Sequence, residues 1–468
     1  MKKKLLHAAV TLALLSVSGC SLIPKYERPS APVAPAYSVP APDDGAVVTW
    51  QQFFQSQGLQ ALIQEALENN RDYRVAALNI ERAQALYRIQ RSDLLPSINA
   101  TGAGSSQRLP QDLSSTGQAE TTHTYSAGLG FTSYELDFFG RVRSLNQQAL
   151  ETYFSTIEAK RSAKLALIAE VASAYYQLQA DQQLLAIAQR TLASQQQSYH
   201  LVMSSYDHEV ATELDLSQAE STVRTAESAQ ARYQRLVEQD KNALVLLVGK
   251  PLPEAAFAAV ELDQLKLQED LPAGVPSQLL TARPDILAAE HQLKAANANV
   301  GAARAAFFPS ITLTASAGSA SAQLGELFAG GQGAWSFIPS INIPIFNHGR
   351  NKANLDVAKV QSSIEVANYQ KAIQTAFREV SDGLVAKSYL DAQVVAEHKR
   401  VQANGKSYAL ANSRYREGVD TFLNTLDAQR NLFSAEQDLI TVKLARINNL
   451  ISLYKALGGG EADVPVSL

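Results

Sequence analysis

Glu135 and Asp137 stand two residues apart in Tyr134-Glu135-Leu136-Asp137-Phe138-Phe139-Gly140-Arg141, which puts both carboxylates on one side of a strand end. Such a pair is what general acid–base chemistry asks for. A charged rim where strand gives way to helix is the better reading, since a helical run starts at Arg141. His200 and His208 flank a turn with no acidic or Cys partner at metal-ligand spacing, and read as solvated. Gly458-Gly459-Gly460 lacks the following Lys-Ser/Thr of a phosphate loop; it reads as a helix stop, as does Gly249-Lys250-Pro251. No nucleophile–base pair stands out, so no catalytic residue, metal or cofactor is assigned and an enzyme is not expected. Among 468 residues, 41 Lys and Arg face 45 Asp and Glu, a net charge of −4 that gives no reason to expect nucleic acid. A single Cys excludes a disulfide framework and a Cys-based metal cluster. No run of 18 or more apolar residues is present, which argues against a polytopic helical membrane protein.

That one cysteine is Cys20. Lys2, Lys3 and Lys4 precede an apolar stretch from Leu5 to Val17, too short to span a bilayer but right for a signal peptide over 1–19. It ends at Val17-Ser18-Gly19-Cys20, which resembles a bacterial lipobox and implies cleavage before Cys20, with lipid on its thiol and new amino terminus. Several acyl chains on one residue anchor durably. Ser21 after the cysteine suggests the outer membrane, by analogy with lipoprotein sorting. Residues 20–48 then form a tether, and its Pro- and Ala-rich part, 24–42, is expected to be extended and poorly ordered.

The elements that must position any site come in two copies. Leu94-Leu95-Pro96-Ser97-Ile98 returns as Phe307-Phe308-Pro309-Ser310-Ile311, 213 positions on, as Asp72 and Ala76 return as Asp285 and Ala289. Phe139-Gly140-Arg141 answers to His348-Gly349-Arg350, and Ser198-Tyr199 with Tyr206, Val210, Thr212 and Leu214 to Ser407-Tyr408 with Tyr415, Val419, Thr421 and Leu423, all at 209. The chain reads as an internal duplication, with repeats over 49–256 and 257–468.

Each repeat has the same order. A helix (ending before Pro96 in the first; 285–306 in the second) precedes a β-hairpin (96–137; 309–347), a long helix (140–206; 350–415) and a return helix (213–248; 421–457). Tyr125, Ala127, Leu129 and Phe131 alternate with Ser126, Gly128, Gly130 and Thr132. In the second repeat Trp335, Phe337, Ile341, Ile343 and Ile345 alternate with Ser336, Ser340 and Asn342. Turn-rich loops are expected over 105–123 and 319–334. An apolar face backed by Ser, Thr, Gly and Asn suits a membrane barrel with a wet lumen. Four strands cannot close a barrel, and open edges are excluded from lipid, so several chains must contribute. Two chains give eight strands and a filled barrel, three give twelve and room for water. The second return helix carries a three-and-four stripe, Leu423, Leu426, Phe433, Ile440, Leu444, Ile447, Ile451 and Tyr454, interrupted by Arg430 and Gln437. Each long run spans about 100 Å at ~1.5 Å per residue, with hairpins at one pole and the turns 207–212 and 416–421 at the other. Segments 49–70, 249–284 and 457–468 supply an equatorial belt.

The lipobox, the run Tyr134–Arg141, Arg283-Pro284-Asp285, Ala305–Ile311, Pro344-Ile345-Phe346-Asn347 and Tyr454–Gly460 together resemble the TolC-like outer membrane factors, most closely the lipidated OprM branch that serves multidrug efflux pumps. The resemblance covers essentially the whole mature chain. It implies an α+β membrane protein: a homotrimer with a twelve-stranded outer-membrane β-barrel continuous with a twelve-helix coiled-coil α-barrel in the periplasm. The implied function is the exit duct of a tripartite pump, passing drugs and small solutes through a gated channel with no cofactor beyond the lipid on Cys20. The implied partners are a periplasmic adaptor and an inner-membrane proton-driven transporter of the resistance-nodulation-division class. Asp427 falls where the family places an acidic ring, with Asn424 where some relatives carry a second Asp. Arg414 and Tyr415 are at positions that tie the closed tip, with Asp215 as a partner. The adaptor is expected at two turns, Asp207, Glu209 and Val210 in one, and Arg416, Gly418, Val419 and Asp420 in the other. Glu209-Val210 stands where relatives usually carry Gly-Val, which bears on whether both turns present one backbone. Alternatives are the outer-membrane factor of a type I protein secretion system, a lipid-anchored coiled coil without a pore, and an envelope hydrolase.

Overall fold

The computed structural model describes residues 21–37, 39, 48–271 and 279–459. The expected leader 1–19, the expected lipidation residue Cys20, most of the tether after Tyr37, and residues 272–278 and 460–468 of the expected belt lie outside them. After helices α1 (Trp50–Phe53) and α2 (Gln57–Asn69), the order α3 (Arg71–Ser92), β1 (Asn99–Leu109), β2 (Glu120–Leu136), α4 (Arg141–Asp207) and α5 (Glu213–Val248) gives the first half. The second half repeats it after α6 (Leu279–Ala282): α7 (Pro284–Ala305), β3 (Ser310–Ser321), β4 (Gly333–Asn342), α8 (Arg350–Arg416) and α9 (Phe422–Ala456). Both long helices have 67 residues. α8 runs through Gly383 and Gly405, and at Gly383 the missing side chain admits Leu453, whose Cδ1 would lie 3.1 Å from an added Cβ. None of the described helices is long and apolar enough to cross a membrane.

The sequence halves are not the compact units. One unit gathers the described residues up to Ser30 with Asn79–Ile157 and Ala288–Gln370; the other gathers the described parts of Ala31–Leu78, Glu158–Leu287 and Lys371–Leu468. Each takes residues from both halves, and the divisions fall inside α3, α4, α7 and α8. Long helices spread a repeat's contacts along its length, so sequence repetition does not mark where the chain is compact.

The first unit holds a four-stranded antiparallel sheet, ordered β1-β2-β3-β4. Leu129 and Phe131 of β2 pair with Ala317 and Ala315 of β3, which pair in turn with Trp335 and Phe337 of β4. One face is therefore apolar, large–small–large across the sheet. The opposite face carries Gly128, Gly130, Ser316, Gly318 and Ser336, with the Ser316 and Ser336 hydroxyls 2.8 Å apart. Backbones crowd there: a Cβ on Gly318 would collide with the Ala127 carbonyl oxygen. The ladder is interrupted between Phe131 and Tyr134, where Ser133 takes φ 53° and its N–H donates to Thr314 Oγ1 at 3.2 Å.

The strands reach further than their alternation shows. β1 extends to Leu109 and β2 starts at Glu120, so both ends of the expected loop 105–123 are ladder, with Ser106 opposite His123 and Arg108 opposite Thr121. Polar residues on both faces hide the period there. β4 stops at Asn342, short of the expected Ile343 and Ile345, because Pro344 has no N–H to give.

The start of the expected loose tether is instead docked. Residues 22–28 lie along α7: Arg304 donates to the Leu22 carbonyl at 3.3 Å, Asn297 to the Pro24 carbonyl at 2.8 Å, and the Tyr26 hydroxyl to Glu290 at 3.1 Å. Arg28 closes the strap with a two-pronged contact to Glu290 at 2.9–3.1 Å. Ile23 rests on Gly301, where an added Cβ would sit 2.6 Å from its Cγ1. The backbone carbonyls of a Pro-rich stretch need donors, and α7 supplies them from side chains.

The second unit holds the described residues of 49–70, 249–284 and 457–459, where the belt is expected, and the helix-ending turns. Phe53 stacks on Tyr454 at 4.4 Å and meets Phe54 edge-on at 4.7 Å, all buried. Phe54 bridges Leu267, and Gln268 N–H donates to the Phe53 carbonyl at 3.1 Å. Arg283, 8% exposed at its side chain, bonds Asp285, Glu379 and the Ala456 carbonyl. α9 is gripped on more than the single stripe expected: Ala435, Leu439, Val442, Leu450 and Leu453 are buried beside Ile440, Ile447 and Ile451, whereas Leu423 is exposed.

Candidate functional site

The two turns that join α4 to α5 and α8 to α9 are built alike. Glu209 N–H donates to the Tyr206 carbonyl and Val210 N–H to Ser205, at 2.9 and 2.8 Å; Gly418 N–H donates to Tyr415 and Val419 N–H to Arg414, both at 2.9 Å. These paired bonds are the Schellman ending of a helix, which needs a left-handed residue at its corner. Gly418 supplies φ 69°, and Glu209 takes φ 61° despite its side chain. Both turns thus present one backbone. Their apolar side chains also correspond: Leu201, Val210 and Leu214 in the first, Leu410, Val419 and Leu423 in the second, are all exposed, Val210 at 81%. Asp207 and Arg416 are the exposed last residues of their helices.

Beneath the turns lies a small core. Val202, Ala219, Phe422 and Leu426 are buried together, with Tyr199, Leu216 and Tyr415 packed on them. The Tyr415 ring lies 5.3 Å from Phe422, and burial, then the charge of Asp215, push its hydroxyl above the usual tyrosine range. Higher up, Ser194 Oγ meets the Tyr408 hydroxyl at 3.0 Å and accepts from Gln429 at 3.1 Å.

The polar residues are partnered differently from expectation. Asp215 is not the ion-pair partner of Arg414. Its Oδ2 accepts the Thr212 N–H and hydroxyl at 3.0 and 2.6 Å while its own N–H donates to Thr212 Oγ1, a reciprocal cap that fixes the start of α5. Arg414 pairs instead with Asp420, Nε to Oδ2 at 3.2 Å, and Asn424 donates to Asp420 Oδ1 at 2.5 Å. The Asn424 amide, then Arg414, hold the Asp420 carboxyl below the usual carboxylate range. Asp427 pairs with Arg430 one turn on, both in solvent reach. Asp420, expected only in a docking turn, is therefore the centre of the Arg414–Asp420–Asn424 group. The signal was available in the sequence: a carboxylate just before the first turn of a helix captures nearby donors.

Elsewhere the carboxylates are structural. Glu135 pairs with Arg141 at 2.5 Å. Asp137 accepts the Val142 and Arg143 N–H groups at 3.1 and 2.9 Å, capping α4. Both carboxylates are taken up in these contacts at the start of α4. His208 bonds the Ser204 carbonyl at 2.7 Å, and among the described residues no three His, Cys, Asp or Glu side chains gather where a metal could sit. Gly249 and Gly458 end α5 and α9 with φ 82° and 93°.

The sheet, the long helix pairs and their matched turns have counterparts in known proteins. The model of the outer membrane efflux protein family matches residues 62–250 and 275–459. The chain belongs to that family. It is 54% identical over 468 residues to the toluene efflux pump outer membrane protein TtgC of Pseudomonas putida, covering 98% of this chain and 96% of TtgC. It is 43% identical over 464 residues to the outer membrane protein OprJ of Pseudomonas aeruginosa, covering 98% and 97%. Among solved structures, the open state of the Neisseria gonorrhoeae MtrE outer membrane channel superposes with a TM-score of 0.85 at 41% identity, covering 94% of this chain and 98% of MtrE. A membrane protein from Pseudomonas aeruginosa superposes with a TM-score of 0.90 at 43% identity, covering 94% and 98%.

Proposed function

We propose that this outer membrane efflux family member is the exit duct of a tripartite pump, passively conducting drugs and small solutes from periplasm to exterior through a gated homotrimeric channel. The sheet carries the reading. Among the described residues its β1 and β4 edges have no neighbouring strand, and its strands expose Leu129, Trp335, Phe337 and Ile341 on one side. Such edges are excluded from lipid unless further strands complete them. Three copies give twelve strands, enough for a water-filled lumen lined by the Gly, Ser and Thr face. The α-helical hairpins of three copies give a twelve-helix barrel, and each chain is an internal duplication over 49–256 and 257–468. Lipid on Cys20 fixes the amino terminus in the outer membrane, with most of the mass in the periplasm.

The closed state is held at the helix-ending turns by Arg414, Tyr415, Asp420 and Asn424, with the Asp427 carboxylate, paired with Arg430 in each chain, repeated threefold around the axis. The matched apolar triads beside Glu209-Val210 and Gly418-Val419 receive the helical hairpin of a periplasmic adaptor, which links the duct to an inner-membrane transporter of the resistance-nodulation-division class. Relatives named for efflux rather than protein export favour this reading over a type I secretion duct.

Mass measurement of the detergent-extracted protein, paired with planar-bilayer recording, tests the proposal. A particle three times the chain mass that carries ion current is expected; a stable single chain with no current overturns it.

A further inference from the structure

Asp240 occupies a place in α5 that packing reserves for apolar side chains. The buried residues of α5 are Ala219, Val223, Ala226, Tyr233, Val237, Leu244 and Val248, and Asp240 fills the gap between Val237 and Leu244 in the same three-and-four rhythm. Its Oδ2 is sealed from solvent and has no hydrogen-bond partner among the described residues. Beside it, within hydrogen-bonding reach once a proton is shared, is Asp181 of α4, itself 3% exposed, whose Oδ2 accepts the Gln177 amide at 2.9 Å. Further along the same helix pair, Thr222 of α5 donates to Gln195 of α4 at 2.6 Å.

Two carboxylates cannot touch as two anions in such a place, because burial penalises each charge and the charges repel. One proton between them removes a charge and supplies the missing donor. The other groups nearby are engaged elsewhere. On α5, Lys241 pairs with Glu238 at 2.9 Å and lies over the Phe257 ring, and Arg232 lies over Tyr233. Tyr233 feels the Asp181 charge but is itself shifted upward mainly by burial. Gln177 is the neighbour on α4, and from the belt Glu254 acts on Lys241. Burial, then the hydrogen bond and charge of Asp181, push the Asp240 carboxyl up to about 7.

The second half of the chain contains its own control. The residues 209 positions on are Leu390 for Asp181 and Asn449 for Asp240. Asn449 lies in α9 before the buried Leu453, and its amide donates to the Gly383 carbonyl at 2.9 Å. An amide of the same shape is thus accommodated at the corresponding position without any ionisation.

We propose that Asp181 and Asp240 share a single proton and form a pH-operated latch between α4 and α5. With the proton in place the seam is closed by one hydrogen bond. Without it two like charges face each other in an apolar seam, and this stretch of the helix pair loosens. The sign follows from the raised carboxyl: the folded protein holds a proton that the unfolded chain has already released, so the seam is tightest below about pH 4 and loses this contribution progressively as pH rises to about 7.

Hydrogen exchange of the full chain in detergent, corrected for the intrinsic pH effect and followed from about pH 5 to about pH 9, reads the latch directly. Peptides around Asp181 and Asp240 are expected to lose protection about tenfold across neutrality in the natural protein. D240N, which carries the amide found naturally at Asn449, is expected to keep protection flat over that range. Parallel profiles in both proteins overturn the proposal. Infrared titration of the unaltered protein decides independently of how D240N folds. A protonated-carboxyl band that disappears through about pH 7 supports the latch, and its absence at pH 6 overturns it.

Discussion

Glu209 and Gly418 close their turns with the same left-handed backbone and the same pair of hydrogen bonds, although only one of them is glycine. A side chain in that region costs about 1 kcal/mol. Glu209→Gly is therefore expected to steady the first turn by about that amount, slowing local opening about fivefold. Gly418→Ala is expected to loosen the second turn by a similar factor. Exchange rates of the Val210 and Val419 amides measure both.

Arg414 and Asp420 set the second prediction. Replacing Arg414 by Ala leaves Asp420 to the Asn424 amide and the Thr421 N–H and is expected to raise resting single-channel conductance, as is Asp427→Ala. Unchanged conductance in both variants removes the gate assignment. Because Asp420 is held below its ordinary range, its contribution is intact above about pH 4 and is lost as pH falls through the lowered value. Acid alone, below about pH 4, is thus expected to raise resting conductance in the natural protein and to change Asp420→Asn much less.

The strap on α7 gives a third. Glu290 is buried, which works against its charge, yet Lys294 and Arg28 outweigh that and hold it below the ordinary carboxylate range. Glu290→Ala is expected to free residues 22–28 and to speed tryptic cleavage after Lys25 about tenfold or more, since the strap loses its charge-assisted bonds. The linkage has the carboxylate sign: strap protection is complete above about pH 4.5 and declines as pH falls through the depressed value. A pH-stable protease with the same readout checks it.

Arg283→Ala is the fourth. The guanidinium is buried and serves Asp285, Glu379 and the Ala456 carbonyl together. Both carboxylates keep partial access to solvent, so the loss is smaller than for a wholly buried pair, about 2 kcal/mol in thermal or denaturant unfolding. Arg283→Lys is expected to recover less than half of it, since an ammonium lacks the fork that reaches three acceptors.

Element order was readable because helices and strands here carry long, uninterrupted periods. Pro96, Pro309 and Pro344 mark the places where elements must stop, and Gly249 and Gly458 do end their helices. The strand extensions into 105–109 and 120–123 are not legible in the sequence because Ser, Thr, Gln and Arg on both faces erase a period of two. The docking of Tyr26 and Arg28 on Glu290 links residues more than 260 positions apart, and no local rule pairs them. Arg414 stood out in the sequence, but Asp420 and not Asp215 is its partner. Distance along the chain favours the acid six residues away, whereas Asp215 is already used by Thr212. Asp240 broke the apolar stripe of α5 in plain view; only its neighbour Asp181 gave the break a meaning.

The β2–β3 ladder imposes an order on biogenesis. Its paired residues are separated by between about 175 positions (Leu136 with Ile311) and about 196 (Tyr125 with Ser321). β2 can zip to β1 soon after it is made, yet its other edge has no mate until the chain beyond Ser321 has been translocated. Closing so long a loop is slow, and an unmated edge is adhesive in the meantime. Periplasmic chaperones that shield nascent strands should therefore be needed most while α4 and α5 are being exported.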